Sequence, residues 1–218
     1  MESTKTAKGE ETRALILDTA LATASRLGLE ALSIGGLAQE VGMSKSGLFA
    51  HFDSKESLQL AVLETAVGRF IDTVIAPALR APRGEPRVRA FFENWMRWES
   101  SKFQPGGCVF IATANEFDDR PGILRDYLVS SQRDWLSALA TAAGIAVQEG
   151  HFREDLDTRQ FAYDLYSIIL AYHHFSRLLR DPDANNRAAK AFEELLQMSR
   201  REPLADTARQ GAHASSQP

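Results

Sequence analysis

The stretch SIGGLAQEVGMSKSGLFAHFDSKES, residues 33–57, decides how this chain of 218 residues is read. Leu37, Ala38 and Val41 fall at i, i+1 and i+4, which lays an apolar stripe along one side of a helix that Ser33 is placed to cap. Gly42 then supplies the backbone freedom of a sharp turn, and Ser44 stands where a second helix needs its cap. On that second helix Leu48 and Phe52 share the inward side by their i,i+4 spacing, leaving Ser46, Gly47 and Ala50 on the other. A face of such short side chains lets a helix approach base edges in a major groove while flanking residues hold phosphates. A third helix starts at Asp53 or Ser54, with Asp53 and Glu56 at capping-box spacing. The pattern implies a helix-turn-helix that reads DNA.

Residue by residue, Ser33-Ile34, Leu37-Ala38, Val41-Gly42, Ser44-Lys45, Gly47-Leu48-Phe49, His51-Phe52 and Ser54-Lys55-Glu56 resemble the DNA-binding domain of TetR-type transcriptional regulators. The resemblance spans residues 10–67 in sequence and the remainder in length and helical pattern. It implies that Ser33, Ser44, Phe49, His51 and Lys55 lie against the phosphate backbone, while Lys45, Ser46, Gly47 and Ala50 face the bases or the groove edge. Phe49 stands where the family commonly has Tyr, so a hydroxyl bond to phosphate is lost. Ala50 replaces a larger aromatic, and its methyl is suited to a thymine methyl. Gly35 and Gly36 are unusual, because Gly costs roughly 1 kcal/mol against Ala inside a helix; close helix packing there would account for them.

Composition bounds the rest. With 44% hydrophobic residues the chain has enough to bury a core as one large or two small domains. No run of eighteen apolar residues occurs and the first residues are polar, so neither a signal peptide nor a membrane span is expected. The single cysteine, Cys108, excludes an internal disulfide framework and fits a reducing cytoplasm. Charge runs against generic nucleic-acid binding: 25 basic residues stand against 29 acidic ones. Within residues 1–60 Lys5, Lys8, Arg13, Arg26, Lys45 and Lys55 face Glu2, Glu10, Glu11, Asp18, Glu30, Glu40, Asp53 and Glu56. Background affinity should therefore be weak, with DNA binding resting on a few placed cations.

Four segments follow: a flexible arm at 1–9, the helix-turn-helix domain at 10–56, a helical ligand-binding and dimerisation domain at 57–201, and a disordered tail at 202–218. A first helix carries Ile16, Ala20, Ala24 and Leu27 on one stripe and ends at Gly28. Leu58, Val62, Ala66, Phe70 and Val74 make one long helix stopped near Pro77. Beyond a Pro-Arg-Gly loop, helical patterns recur with breaks at Pro105-Gly106-Gly107, Pro121 and Gly150. No strand alternation persists. The expected fold is all-α, about nine helices.

The second region holds Trp95, Trp98 and Trp135 and all the tyrosines. The family resemblance implies an inducer pocket here, lined by Trp95, Phe110, Phe117, Trp135, Tyr166 and His173, although aromatics at helical spacing are ordinarily core. It also implies a homodimer through the last two helices, whose apolar stripe runs Phe161, Leu165, Ile168, Ile169, Tyr172, Phe175, Leu179 and then Phe192, Leu195, Leu196. Cys108 reads as an inert buried thiol before it reads as a sensor. His173 and His174 diverge on a helix, and neither metal nor cofactor is implied. The function these features imply is a repressor that binds a palindromic operator as a dimer and is released by a small apolar or aromatic molecule. An activator of the same fold is the alternative, followed by a helical enzyme using Glu116, Asp118, Asp119 or His174, for which no nucleophile-base set appears.

Overall fold

The computed structural model describes residues 2–201. Their order is α1 (Glu2–Leu27), α2 (Ile34–Glu40), α3 (Lys45–Phe49), α4 (Lys55–Phe70), a π-helical turn (Ile71–Ile75), α5 (Ala76–Arg80), α6 (Glu85–Glu99), α7 (Val109–Phe117), α8 (Ile123–Gln148), α9 (Thr158–Arg177) and α10 (Ala184–Ser199). Because α4, the π turn and α5 follow without a break, the described residues hold nine rods, as the sequence implies, plus one isolated bridge between Phe152 and Arg200. α1 reaches back to Glu2, so helix occupies residues 2–9 of the stretch expected as an arm, and no proline interrupts it. The tail expected at 202–218 lies outside the described residues.

Caps set the local chain direction around the turn. Ser33 Oγ accepts from the Gly36 N–H at 3.1 Å and Ser44 Oγ from the Gly47 N–H at 3.1 Å. Between them Gly42 adopts φ 69°, while the N–H of Met43 reaches back to the Ala38 carbonyl at 2.8 Å and that of Gly42 to Gln39 at 3.2 Å. This pair of bonds is a Schellman ending, which only a left-handed residue closes cheaply. Of the two starts that the sequence offers for the third helix, the structure uses the second. Ser54, not Asp53, is its cap, and the reciprocal partner is Ser57, whose Oγ accepts from the Ser54 N–H at 3.1 Å. Nor do the two glycines of α2 mark close packing: a Cβ at Gly35 would meet nothing, and one at Gly36 would only crowd the Ser33 hydroxyl.

Ile16, Ala20 and Ala24 are fully buried in one core with Leu37, Leu48, Phe52, Leu58 and Val62, so α1 and α4 back the turn. Burial of a side chain such as Leu48 contributes roughly 1.5–3 kcal/mol. Leu27, expected on the same stripe, is 65% exposed, because the helix ends there and Leu29 takes the inward place after the Gly28 turn.

The rod from Lys55 runs through Pro77 and ends at Arg80, close to where its sequence pattern stops. Proline lacks an N–H and its ring collides with the carbonyl four residues back in a regular α-helix. The π turn just before it relieves this: Ala76 N–H donates to the Ile71 carbonyl, five residues back, and the wider turn makes room. Leu58, Val62, Ala66, Phe70 and Val74 are all buried, as their spacing requires.

At the body's far end α6 is tied to α10, with Arg89 bonded to Glu85 and bidentate to Glu193, and Arg200 to Glu85. Arg200 first, and Arg89 after it, hold the Glu85 carboxyl below its ordinary pKa. α9 packs between α8 and α10. Phe161, Leu165, Ile169, Phe192, Leu195 and Leu196, expected at a dimer interface, are instead buried within the subunit.

The approach of the loop before α7 to the end of α1 leaves no room at Gly106: a Cβ there would lie 1.9 Å from the Ser25 carbonyl oxygen. Gly106→Ala is expected to destabilise the protein by about 1–3 kcal/mol, visible as a melting temperature several degrees lower by calorimetry. An unchanged melting temperature would show that the two segments separate freely.

Candidate functional site

The second helix of the turn presents its flank to solvent. Ser44, Lys45, Ser46 and Ala50 are exposed, Gly47 and His51 half-buried, and Phe49 is 41% exposed, while Leu48 and Phe52 anchor the helix from behind. Arg13 of α1 sits 5.1 Å from the centre of the Phe52 ring, a cation–π contact that holds the anchor. Ser33 is exposed at the start of α2, and its Oγ, like that of Ser44, is an acceptor in a cap and keeps its own proton to donate. Ser44 and Ser46 also share a hydroxyl contact at 3.2 Å. Lys45 has no ion-pair partner among the described residues. Lys55 does: its Nζ donates to the Glu30 carbonyl at 2.7 Å and lies 3.7 Å from the Glu30 carboxylate. The structure thus leaves Ser33, Ser44, Lys45, Ser46, Phe49 and Ala50 exposed around the turn, with Gly47 and His51 half-buried and Lys55 already engaged inside the subunit.

A cavity of about 290 Å³ opens between α4 with its π turn, α6, α7, α8 and α9. Trp95, Phe110, Trp135 and Tyr166 line it as expected. The walls missed by sequence are Val67, Phe70, Ile71 and Ile75 of the rod, Cys108 and Ile111 near the start of α7, and Tyr127, Ser130, Ser131, Gln132, Asp134 and Ala138 of α8. The signal for the first group was a second apolar row, 67, 71 and 75, running one residue behind the core stripe. Phe70 stands at the centre, edge-on to Trp98, Phe110 and Trp135 with ring centres 5.0–5.9 Å apart. Tyr166 Oη donates to Gln132 Oε1 at 2.7 Å, and burial first, then the nearby Cys108, raises the phenol's pKa.

Two expected wall residues lie elsewhere. Phe117 is buried at the far end of α7, the helix that packs on α1. His173 stands behind the wall, its Nδ1 2.8 Å from Glu99 Oε1. Sequence spacing gave both a helix face but not which layer that face meets. Glu99 is itself buried, and its other oxygen accepts the Cys108 N–H at 2.7 Å. With Gln104, which donates to the Trp98 carbonyl at 2.8 Å, this network fixes the entry to α7.

From the far end of α7 a carboxylate reaches the other half of the molecule. Glu116 Oε2 accepts the backbone N–H groups of Leu29, at 2.8 Å, and Glu30, at 3.3 Å, just past α1. Nearby, Gly106 N–H donates to Ser25 Oγ at 3.0 Å and Arg120 pairs with Glu30 at 3.5 Å. Of the acid-base candidates weighed from sequence, Glu116 is therefore spent on backbone, and Asp118 Oδ1 on the Asp119 N–H at 2.9 Å. No cluster of three metal-binding side chains occurs among the described residues, and none of their helices is long and apolar enough to cross a membrane.

A capped turn with a solvent-facing second helix, joined by a continuous rod to a helical body around an aromatic cavity, defines a DNA-binding transcriptional regulator. Residues 16–62 match the family model for bacterial regulatory proteins of the tetR family, and residues 84–192 the tetracyclin repressor-like C-terminal domain. The chain belongs to the TetR family. A TetR transcriptional regulator from Chloroflexus aurantiacus J-10-FL is similar in structure with a TM-score of 0.74 at 23% identity, covering 88% of this chain and 95% of its own. One from Cytophaga hutchinsonii gives 0.77 at 18%, covering 90% and 98%. AibR, solved in complex with isovaleryl coenzyme A and operator DNA, gives 0.68 at 20%, covering 86% and 97%. No curated protein matches the chain in sequence.

Burial first and the Glu99 charge second push the Cys108 thiol up to about 12. At pH 8 only on the order of one thiol in ten thousand is then ionised, and the thiolate is the reactive form. Ellman's reagent is expected to leave the folded protein unmodified and to titrate one thiol after denaturation. Stoichiometric reaction within seconds in the folded state would contradict the burial.

Proposed function

We propose that this regulator is a repressor that binds a palindromic operator as a homodimer in the cytoplasm and lets go when a small molecule fills the cavity. The observation that carries the reading is the rod from Lys55 to Arg80: its capped start closes the turn motif, and its π turn forms part of the cavity wall. One rigid element thus meets both sites. A ligand that pushes Ile71 or Ile75 moves the rod, and with it the reading helix relative to its twin. In this reading residues 10–56 form the DNA-binding half and 57–201 the effector half, the boundary falling at the start of the rod.

Lys45, Ser46, Gly47 and Ala50 are assigned to the bases and groove edge, and Ser33, Ser44, Phe49, His51 and Lys55 to the phosphates; the exposure of Ser33, Ser44, Lys45, Ser46, Phe49 and Ala50 supports the assignment. Trp95, Phe110, Trp135 and Tyr166 are assigned to the effector. A dimer suits the outer side of the last two helices, where Tyr163, Leu170, Phe175, Leu178, Leu179 and Met198 are exposed and the most open are about 70% accessible. AibR, a structural relative, is described with operator DNA and an acyl thioester, which agrees with a two-site regulator.

Glu116 supplies a second link between the halves. By holding Leu29 and Glu30 from the helix that begins at the cavity, it makes α7 a strut. A coupling between sites typically amounts to about 1–3 kcal/mol, or roughly 5–150-fold in affinity. Glu116→Ala is expected to narrow the ratio of operator affinity without and with effector by about fivefold or more, measured by fluorescence anisotropy, with effector binding itself preserved. An unaltered ratio would remove the strut.

Selection of an operator by the full-length protein from a random oligonucleotide pool tests the whole reading; an inverted repeat should emerge, and sedimentation should show two copies bound. Failure of any sequence to enrich would overturn it. On the selected operator Lys45→Ala should weaken binding to all sequences and reduce the salt slope by about 1. Lys55→Ala should change the slope less, since Glu30 already holds that charge, whereas substitutions at Ser46 or Ala50 should alter base preference. Equal slopes for wild type and Lys45→Ala would take Lys45 off the phosphates.

A further inference from the structure

The charge census of the cavity is one-sided. Neither Lys, Arg nor His lines it among the described residues, and its one charged side chain is Asp134. Asp134 is exposed, as are Ser130 and Ile71, so these three mark the mouth, while Phe70, Trp95 and Trp135 are buried and mark the floor. No cation pairs with Asp134 among the described residues. Tyr127, another wall residue, has its phenol pKa raised first by burial and then by the charge of Glu64.

We infer that the effector is an organic cation with an apolar body, seated body-first among the aromatic side chains with its charged head at the Asp134 mouth. This rests on the effector reading given above and narrows its chemistry. A carboxylate at the exposed mouth attracts the head without stripping it of all its water, so the desolvation cost stays small. An anion of the same shape meets repulsion from Asp134, with no basic side chain in the wall to offset it. A neutral molecule of that shape gains the apolar contacts alone.

Three probes sharing a 4-tert-butylphenyl body test the assignment on the full-length protein: the benzylammonium, the benzyl alcohol and the benzoate. Binding is read from tryptophan fluorescence, since Trp95 and Trp135 are in the wall. The ammonium is expected to bind about tenfold more tightly than the alcohol, with the benzoate weakest. Asp134→Asn should bring the ammonium within about threefold of the alcohol while leaving the alcohol within about twofold of its wild-type affinity. Circular dichroism confirms that this exposed substitution leaves the fold intact. Equal or tighter binding of the alcohol or the benzoate, a cation preference that survives Asp134→Asn, or no response to any probe would overturn the assignment. Operator release is followed in parallel. If the ammonium binds as expected and the DNA stays bound, the effector reading fails and the charge preference stands; if the alcohol or benzoate alone releases the DNA, the reverse holds.

Discussion

The two halves of this protein meet through a carboxylate that serves backbone. Glu116 accepts from the Leu29 and Glu30 N–H groups at the point where α1 has ended and its left-handed Gly28 has turned the chain. A Cβ at Gly28 would fall 1.6 Å from a Glu116 oxygen, so the glycine provides the turn and also the space for the acceptor. Free N–H groups past a helix end need partners wherever water is excluded. Here the partner comes from a helix whose opposite end borders the cavity. Glu30, held by its N–H, in turn holds Lys55 at the start of the rod and Arg120 beyond α7. The orientation of the reading motif on the body depends on this knot.

The body has its own fixed point, the buried Glu99. One oxygen takes the Cys108 N–H and the other faces His173, so a charged group sits in the core with both sides occupied. A buried carboxylate without such partners would cost several kcal/mol. The arrangement fixes where α7 begins, and α7 in turn sets Phe110 and Ile111 against the cavity at one end and Glu116 against the DNA-binding half at the other. Two carboxylates, Glu99 and Glu116, seventeen residues apart, therefore locate one short helix between effector and DNA.

Much of the fold was legible because local chemistry decided it. Ser33, Gly42 and Ser44 announce two helix starts and a stop within a dozen residues, and each does in the structure what its type requires. The cap of α4 stayed open between Asp53 and Ser54 because both are good caps, and the Ser57 hydroxyl breaks the tie. The reading face was legible for the same reason as the turn: its small residues and its anchors alternate on a short helix. The partnership of Lys55 with Glu30 was not, since it joins residues 25 apart. In the body, periodicity finds faces without naming the neighbour each face meets. Phe161, Leu165 and Ile169 could as well have been an interface as a core, and Phe117 and His173 share helices with wall residues yet lie in another layer.

The π turn at Ile71–Ile75 adds a residue to the circumference of the rod without adding a full step to its length. Everything beyond it is rotated against everything before it, so the azimuth of Pro77 and the α5 segment is set by this one wide loop of backbone. Rewinding these five residues as ordinary α-helix without changing their number would swing the distal part by roughly a quarter turn and carry buried Ala78 outward, whereas removing one residue here would restore regular winding with Ala78 still inward. The rod should therefore tolerate the loss of one residue at this wide loop better than anywhere along its regularly wound stretches.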